Sequence, residues 1–328
     1  MKTTMQNIAE LCGVSRGTVD RALNGRGGVN EETRRRIIRV ASEVGYVPDQ
    51  LAASLSTGKT NTIGIIVFDL AHTFFSELVS EMISSLRAFG FSTYVSVSRK
   101  DADEEISLVR HLAAQRVDGL IIVPIGTGRN FEHVLRSVAI PVVTVLNALS
   151  RSWPFVGIDD EPAIVAAVDH IVERGYRSIA YVSPPLRTTS DVNSYSLDHR
   201  ARGFRAAVRK HDFAVRKIIS GDDYCEQAVA LHNRGGQKVA FLCSSDHFAL
   251  NLLHHFHGLG VAVPRDVGIM GFDNVSILEY VRPRLTTVDI NRRLIAKTSV
   301  EMLMNILKDQ QCPIHRTISC SIVTGESL

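Results

Sequence analysis

The feature that most constrains the fold is a series of short apolar runs that begins after Asn61 and alternates with amphipathic stretches. Runs without polar alternation predict strands covered on both faces, as in the parallel sheets of α/β proteins. Eight such units exceed one mononucleotide-type half, so the pattern predicts two doubly wound subdomains with a cleft between them. The predicted strands are Ile63–Phe68, Thr93–Val97, Gly119–Val123, Pro141–Leu146, Ser178–Val182, Lys217–Ile219, Val239–Cys243 and Val267–Gly271.

The first sixty residues predict short helices with sharp turns instead. Thr4 is placed to cap a helix from Met5 to about Leu11, which Gly13 ends. Ser15 is placed to cap a second helix to about Leu23, and Asn30 opens a third that runs to about Val44. The residues predicted to face a small core are Ile8, Ala9, Leu11, Val19, Leu23, Ile37, Ile38, Val40, Ala41 and Val44.

A fourth, very short helix is predicted after Pro48, from Gln50 to about Ser56, with Asp49 as its cap. A helix of this length is marginal in water on its own. We therefore expect it to form only against a partner or DNA.

Positive charge is concentrated in the same N-terminal part of the chain. Residues 1–60 hold nine basic and six acidic side chains, and the remaining 28 of each sign cancel, so the net charge of +3 lies entirely there. A localised basic segment is typical of phosphate binding. The 45% apolar and 22% charged content is that of a globular protein, which excludes disordered and fibrous classes.

Several classes of site and location are disfavoured by what the sequence omits. It has no apolar run of membrane-spanning length and no signal-peptide core near its start, so we expect a cytoplasmic protein without membrane contact. The five cysteines form no CxxC pair and no cluster of metal ligands. We expect reduced thiols packed as small apolar groups, and no metal.

The segment from Met5 to Leu23 has the design of a helix-turn-helix, with Gly13-Val14-Ser15 as its turn. Its second helix would enter the major groove of DNA. Arg16, Gly17 and Arg21 lie on the exposed side of that helix, and arginine is well suited to the O6 and N7 atoms of guanine. The alternative is that both arginines are merely solvated helix charges.

Motifs in the head are similar to those of the lac repressor family, and the resemblance extends over the whole chain. It implies a small all-α helix-turn-helix head in 1–48, a hinge helix and linker in 49–60, and an effector-binding and dimerisation body in 61–328. The body would be periplasmic-binding-protein-like, with two doubly wound parallel-sheet subdomains. The matching motifs are Thr4–Ala9, Gly13–Ser15, Thr18-Val19, Arg21–Asn24, Val29–Arg34, Gly45–Pro48, Leu51–Leu55 and Thr60–Gly64.

The resemblance also implies which residues contact DNA. Arg16, Gly17 and Arg21 would read bases, while Leu55, in the hinge helix with Ala52, would wedge into the minor groove. Leu55 could equally pack two hinge helices together, which is compatible with the wedge. The residues implied to contact phosphates are Thr4, Ser15, Thr18, Asn24, Val29, Asn30 and Thr33.

Two residues of the reading helix depart from the family pattern. Asp20 stands where serine is common, and a carboxylate near DNA weakens binding unless Arg16 or Arg21 orients it. Gly17 has no side chain, so one usual base-reading position is silent. Both departures predict an operator preference unlike the family average.

The resemblance places the effector between the subdomains, at the carboxyl ends of the strands. Phe74 and Phe75 have a core role as the alternative, and for Asp246 a helix cap is favoured. Arg200 and Asp273 are favoured as ligand groups, because isolated charges at strand ends need partners. The full set of candidates is Asp69, His72, Phe74, Phe75, Asn147, Arg200, Tyr224, Ser245, Asp246 and Asp273.

One wall of this cleft departs from sugar receptors. Val123, Leu146 and Asn147 stand where such receptors often have Asn, Asp and Arg, so the wall is less polar and uncharged. A smaller or deoxy sugar, a polyol and a non-sugar metabolite therefore remain open as effectors.

Two other functions compete with regulation. An α/β enzyme is disfavoured because Gly126-Thr127-Gly128 is too short for a dinucleotide motif and Ser244–His247 lacks a GxSxG elbow. We attribute His254, His255 and His257 to a solvated helix face, and predict no catalytic residue and no cofactor. A periplasmic-type solute-binding protein without DNA activity would explain the body but not residues 1–58.

The favoured function is therefore a sequence-specific transcriptional regulator, with repression as the family's usual output. A homodimer, with a tetramer as the alternative, would bind pseudo-palindromic double-stranded operator DNA. A sugar, polyol or related effector bound between the subdomains would change the affinity for the operator.

Overall fold

The computed structural model describes residues 3–46, 58–185, 192–234 and 237–328. The chain divides into two compact units, Met1–Thr60 and Asn61–Leu328, here named the head and the body. The predicted hinge helix, with Ala52 and Leu55, lies outside the described residues. No described helix is long and apolar enough to cross a membrane.

The three helices of the head begin at the predicted caps. The Thr4 hydroxyl accepts from the Asn7 N–H, the Ser15 hydroxyl from Thr18 and the Asn30 side chain from Thr33. Gly13 ends the first helix with φ +62°, a left-handed conformation that glycine adopts at little cost. The helices are α1 (Met5–Cys12), α2 (Arg16–Leu23) and α3 (Glu31–Glu43).

The core of the head is narrower than the sequence predicts. Ile8, Val19 and Ile37 are fully buried, but Leu11 is 63% exposed and Ile38 is 50% exposed. Each residue advances about 100° around a helix, so Cys12 rather than Leu11 lies on the face of Ile8. The prediction of a core role was wrong for Leu11 and Ile38.

The body contains two six-stranded sheets. The first has the order β11-β5-β4-β3-β1-β2 and is parallel throughout; the second has the order β12-β10-β9-β8-β6-β7, with β12 antiparallel to β10. The strands are β1 (Thr62–Val67), β2 (Ser92–Val97), β3 (Gly119–Ile122), β4 (Val142–Val145), β5 (Phe155–Ile158), β6 (Ser178–Ser183), β7 (Val215–Ser220), β8 (Val239–Cys243), β9 (Val267–Phe272), β10 (Thr286–Asp289), β11 (His315–Ile318) and β12 (Ser321–Val323).

Helices cover these sheets and connect their strands. A 3₁₀ turn, Ser276–Tyr280, follows β9. The helices of the body are α4 (Thr73–Ala88), α5 (Ala102–Ala114), α6 (Gly128–Ser137), α7 (Asp160–Glu173), α8 (Tyr195–Ala207), α9 (Tyr224–Asn233), α10 (Asp246–Gly258) and α11 (Arg292–Leu307).

All eight predicted strands are present, which confirms the two doubly wound subdomains. The sequence missed β5, β10, β11 and β12. Two predicted strands, β2 and β7, form sheet edges and are only partly buried, with Tyr94 51% exposed. Burial on both faces was therefore wrong for these edges, since an edge strand is covered less completely than a central one.

The chain passes between the two subdomains three times. It leaves the first sheet after β5, and returns after β10 as α11, which packs on α4 and on the first sheet. It then adds β11 to the first sheet and β12 to the second. These crossings bring the carboxyl ends of the two sets of strands to face each other.

Candidate DNA-binding surface and effector cleft

The exposed face of α2 carries all three predicted base-reading residues. Arg16, Gly17 and Arg21 are exposed, while Val19 on the opposite side is fully buried. The Arg21 Nε donates to the Gly17 carbonyl at 3.2 Å, which directs this guanidinium toward the start of the helix. The hydroxyls of Ser15 and Thr18 lie 2.9 Å apart at the same end.

The Asp20 carboxylate is not held by either of the arginines expected to orient it. It accepts from the Asn24 amide at 2.8 Å and from the Arg26 guanidinium at 3.3 Å. The expectation was wrong because Asp20 turns toward the end of α2, where the next turn of the chain supplies both donors. Asn24, a predicted phosphate contact, thereby has one of its amide hydrogens engaged.

The other predicted phosphate contacts lie at helix starts. Thr4 Oγ1 donates to Asn7 Oδ1 at 2.7 Å, and Asn30 Oδ1 accepts from the Thr33 N–H at 2.7 Å. Val29 is half-buried and packs against the core of the head. Helix starts present backbone N–H groups and a positive dipole end, which suits phosphate oxygens.

In the body, the predicted effector residues come together at the carboxyl ends of the strands. Asp69, His72, Phe74 and Phe75 follow β1, and Asn147 follows β4. The remaining candidates follow strands of the second sheet or lie on its helices: Arg200, Tyr224, Ser245, Asp246 and Asp273.

The two subdomains are joined directly at this cleft by the start of α8. The Ser196 hydroxyl donates to the Leu146 carbonyl at 2.8 Å, and its N–H donates to Asn147 Oδ1 at 3.3 Å. The Asn193 N–H donates to the Ile125 carbonyl at 2.7 Å, and its amide donates to the Ala148 carbonyl at 2.9 Å. Asn147 therefore serves the contact between subdomains.

His72 faces the second subdomain across the cleft. Its ring centroid lies 5.4 Å from that of His247, near the start of α10. Burial and the nearby His247 lower the pKa of His72 to about 4, so its ring is neutral near pH 7. Asp69 Oδ1 accepts the backbone N–H groups of Ala71 and His72 and so shapes this loop.

Phe74 and Phe75 are both buried in the main core of the body. The Phe75 ring packs edge-on against Phe68 at 4.4 Å and against Phe74 at 5.1 Å. These contacts favour the core role over stacking on a ligand.

Arg200 is buried on α8 and does not lie at a strand end, as the sequence had indicated. Its Nε donates to Asp160 Oδ1 at 2.7 Å, and one Nη donates to the Ser244 carbonyl at 2.6 Å. The guanidinium lies 3.8 Å from the centroid of the Phe272 ring. Burial raises the pKa of Asp160 and Arg200 opposes that rise, so the pair is mutually dependent.

Asp246 does not cap α10, and the favoured expectation for it was wrong. Ser245 is the N-cap residue, while the fully buried Asp246 accepts from the Thr287 hydroxyl at 2.6 Å and from the Val275 N–H at 2.9 Å. Burial raises the pKa of Asp246 to about 7. The carboxylate thus ties α10 to β10 and to the loop after β9.

Asp273 and Tyr224 complete the second wall of the cleft. Asp273 is buried with φ +116°, an unfavourable conformation for a residue with a side chain, and its N–H donates to the Val288 carbonyl. Burial raises the pKa of Asp273 well above its ordinary value. The Tyr224 hydroxyl accepts from the Asn251 amide at 2.9 Å.

Three carboxylates that position the cleft were missed as functional residues. Asp160 was read only as part of a helix start. Glu105 is fully buried on α5 and accepts the N–H groups of Ile125 and Gly126. Glu77, on α4, accepts from the Ser276 N–H and hydroxyl and pairs with Arg292 at 2.9 Å.

Metal and disulfide chemistry gain no support from the described part of the chain. It contains no group of three or more His, Cys, Asp or Glu side chains that could hold a metal ion. The five cysteines are all free thiols, with Cys12 and Cys243 buried.

Comparison with known proteins identifies both units. Residues 4–49 match the model of bacterial regulatory proteins of the lacI family, and residues 168–328 match a periplasmic binding protein-like domain. Catabolite control protein A of Priestia megaterium is 28% identical over 88% of this chain and 87% of its own length. The transcriptional repressor PurR of Vibrio vulnificus is 26% identical over 94% and 93%.

The fold has the same relatives. The structure of the lac repressor bound to ONPG in the repressed state has a TM-score of 0.85 and 25% identity, with both chains covered completely. The relatives are transcriptional regulators rather than enzymes. With a DNA-binding head and a periplasmic-binding-protein-like body on one polypeptide, the chain belongs to the lacI family of bacterial regulatory proteins.

Proposed function

We propose that the protein represses transcription by binding a pseudo-palindromic operator as a homodimer. The observation that carries the proposal is the exposed face of α2, where Arg16 and Arg21 flank the bare backbone of Gly17. Such a face fits the major groove, and two copies related by a two-fold axis fit two half-sites. The names of the PurR and lac repressor relatives support repression as the output.

The domain limits of the proposal are a head in 1–48, a hinge in 49–60 and a sensor in 61–328. The hinge would order on the operator, with Leu55 and Ala52 in the minor groove, because folding coupled to binding lets a marginal helix act as a switch. An effector in the cleft changes operator affinity only if it binds the two arrangements of the subdomains with different affinity.

The same proposal assigns no catalytic step to the body and places the protein with chromosomal DNA in the cytoplasm. A solute-binding role alone would leave the exposed arginines and capped helix starts of the head without a purpose. The cleft residues then act as a receptor whose occupancy is read by the hinge.

Selection of operator sequences from random DNA, followed by fluorescence anisotropy at several salt concentrations, tests the proposal. Arg21→Ala should relax preference at one operator position by about 1–3 kcal/mol. Arg39→Ala is the matched control, since Arg39 is exposed on α3 and pairs only weakly with Glu43 at 3.9 Å. Leu55→Ala should weaken operator binding without unfolding the body.

The outcomes separate the parts of the proposal. No selected sequence and no salt-dependent affinity would refute DNA binding itself. An unchanged selection profile for Arg21→Ala would refute its base-reading role, and unchanged affinity for Leu55→Ala would refute the wedge.

A further inference from the structure

Three buried polar atoms at the cleft have no hydrogen-bond partner among the described residues. They are Nδ1 of His72, Oγ of Ser245 and Oδ2 of Asp160. A buried polar atom left unpaired costs about 1–3 kcal/mol, so native proteins supply a partner for such atoms. Three of them at one cleft indicate a ligand that forms hydrogen bonds.

Shared contacts place the three atoms at the same site. Arg200 bridges Asp160 and the carbonyl of Ser244, the residue next to Ser245. His72 faces His247, two residues beyond Ser245. Asp160 and Ser245 are 3% and 8% exposed, so both belong to the enclosed part of the cleft.

The charges of the cleft favour a ligand without negative charge. Each guanidinium at the cleft already has a carboxylate partner: Arg200 pairs with Asp160, and Arg292 pairs with Glu77. Lys100 is exposed at the outer edge, over the Phe68 ring. The additional carboxyl groups of Asp69, Asp246 and Asp273 add acidic character, and like charges brought together cost several kcal/mol.

The hydrogen-bonding capacity of the three atoms matches hydroxyl groups. The second oxygen of Asp160 can only accept when the carboxylate is charged, as its contact with Arg200 favours. The Ser245 hydroxyl donates and accepts, and the neutral ring of His72 does one at each nitrogen. The neighbouring Ser196 hydroxyl directs its single proton to the Leu146 carbonyl instead of to Asp160.

We infer that the effector is an uncharged molecule with several hydroxyl groups, one of which donates to Asp160, and that phosphorylated and carboxylated molecules are rejected. The inference rests on the proposed function for its regulatory meaning, since it defines what the sensor recognises. It assigns Asp160, rather than Arg200 alone, to direct contact with the ligand.

Thermal unfolding of the full-length protein with matched probes tests the charge selection. Each uncharged probe is paired with its own anion: D-ribose with ribose 5-phosphate, and D-glucose with glucose 6-phosphate and gluconate. D-xylose, xylitol and other pentoses, hexoses and polyols widen the uncharged arm, and inorganic phosphate is the ionic control. A ligand that binds the folded state raises the unfolding temperature.

At least one uncharged probe should stabilise the protein in a saturable way, and its phosphate or acid should not. Saturable stabilisation by a phosphorylated or carboxylated probe would overturn the inference. Failure of every uncharged probe would overturn it as well.

Two variants test the assigned contacts with the uncharged probe that stabilises most. Ser245→Ala removes a hydroxyl that bonds to no described residue, so the fold should be retained, and Asp160→Asn removes the charged acceptor. Affinity measured by calorimetry should fall about tenfold or more in each. Asp169→Asn, on the same helix but paired with His211, is the control and should bind normally. Wild-type affinity in both cleft variants would refute the assignment.

Operator binding is measured on the same preparations without a probe. A protein that binds its operator but recognises only anions refutes the ligand class alone. A protein that binds an uncharged probe but no operator refutes the proposed function alone.

Discussion

Glu105 provides the sharpest test of the electrostatics of the body. This carboxylate is fully buried on α5 and holds the N–H groups of Ile125 at 3.1 Å and Gly126 at 2.7 Å. Burial raises its pKa from 4.5 to about 7 despite these two bonds. The loop that it holds also contacts the second subdomain, because the Ile125 carbonyl accepts from Asn193.

The raised pKa fixes the sign of the pH dependence. Between pH 4.5 and 7 the folded protein keeps this proton while the unfolded chain has lost it, so stability falls as the pH rises through this window. A shift of this size corresponds to about 3 kcal/mol between pH 4 and pH 8. Glu105→Gln cannot titrate, so it should lack this part of the pH dependence.

The measurement is the unfolding temperature of wild type and Glu105→Gln from pH 5 to 8. At about 2 °C for each kcal/mol, the difference between the two proteins should change by on the order of 5 °C across the range. The single tryptophan, Trp153, reports the transition, since it packs in the same core cluster as α5 residues Val109 and Leu112.

Glu104→Gln is the control, because that neighbouring side chain is partly exposed and pairs with Arg99 at the surface. Its pH profile should run parallel to that of wild type. If the profile of Glu105→Gln also runs parallel to wild type, Glu105 titrates normally and the reasoning from burial is refuted.

Two further predictions concern contacts between elements of the body. Ser276→Ala removes a hydroxyl donated to Glu77 across the subdomains, so hydrogen exchange in the turn at residues 276–280 should become faster; wild-type exchange would show that this bond does not restrain the turn. Gly203→Ala would bring a Cβ to 2.7 Å from the Glu161 carbonyl, so separating α7 from α8 should cost about 1–3 kcal/mol, whereas Gly258→Ala, with open space around it, should be neutral or stabilising in the same thermal assay.

Local chemistry was predictable from the sequence wherever a residue acts on its own neighbourhood. Thr4, Ser15 and Asn30 cap helices because each side chain reaches an N–H three residues ahead. The apolar runs located the central strands, which are buried on both faces. The four-residue strand β5 was missed because Phe155–Ile158 is too short for its pattern to differ from that of a loop.

The cleft was predictable in location but not in its bonding. Glu77 and Ser276 are 199 positions apart, and their contact depends on two subdomains being brought together. Asp246 follows a strand and begins a helix, which is also the position of a cap, and only the position of Thr287 distinguishes the two roles. The importance of Asp160 likewise arises from Arg200, 40 positions away.

The three passages of the chain between the subdomains bear on how this architecture tolerates being cut. The last strands, His315–Ile318 and Ser321–Val323, complete one edge of each sheet. A stop codon before residue 315 would therefore damage both halves of the receptor at once, although the head would be translated intact. Neither half of the body is a contiguous stretch of sequence, so simple fragment exchange with a relative could not graft one half alone; a functional chimaera would have to carry all three passages together.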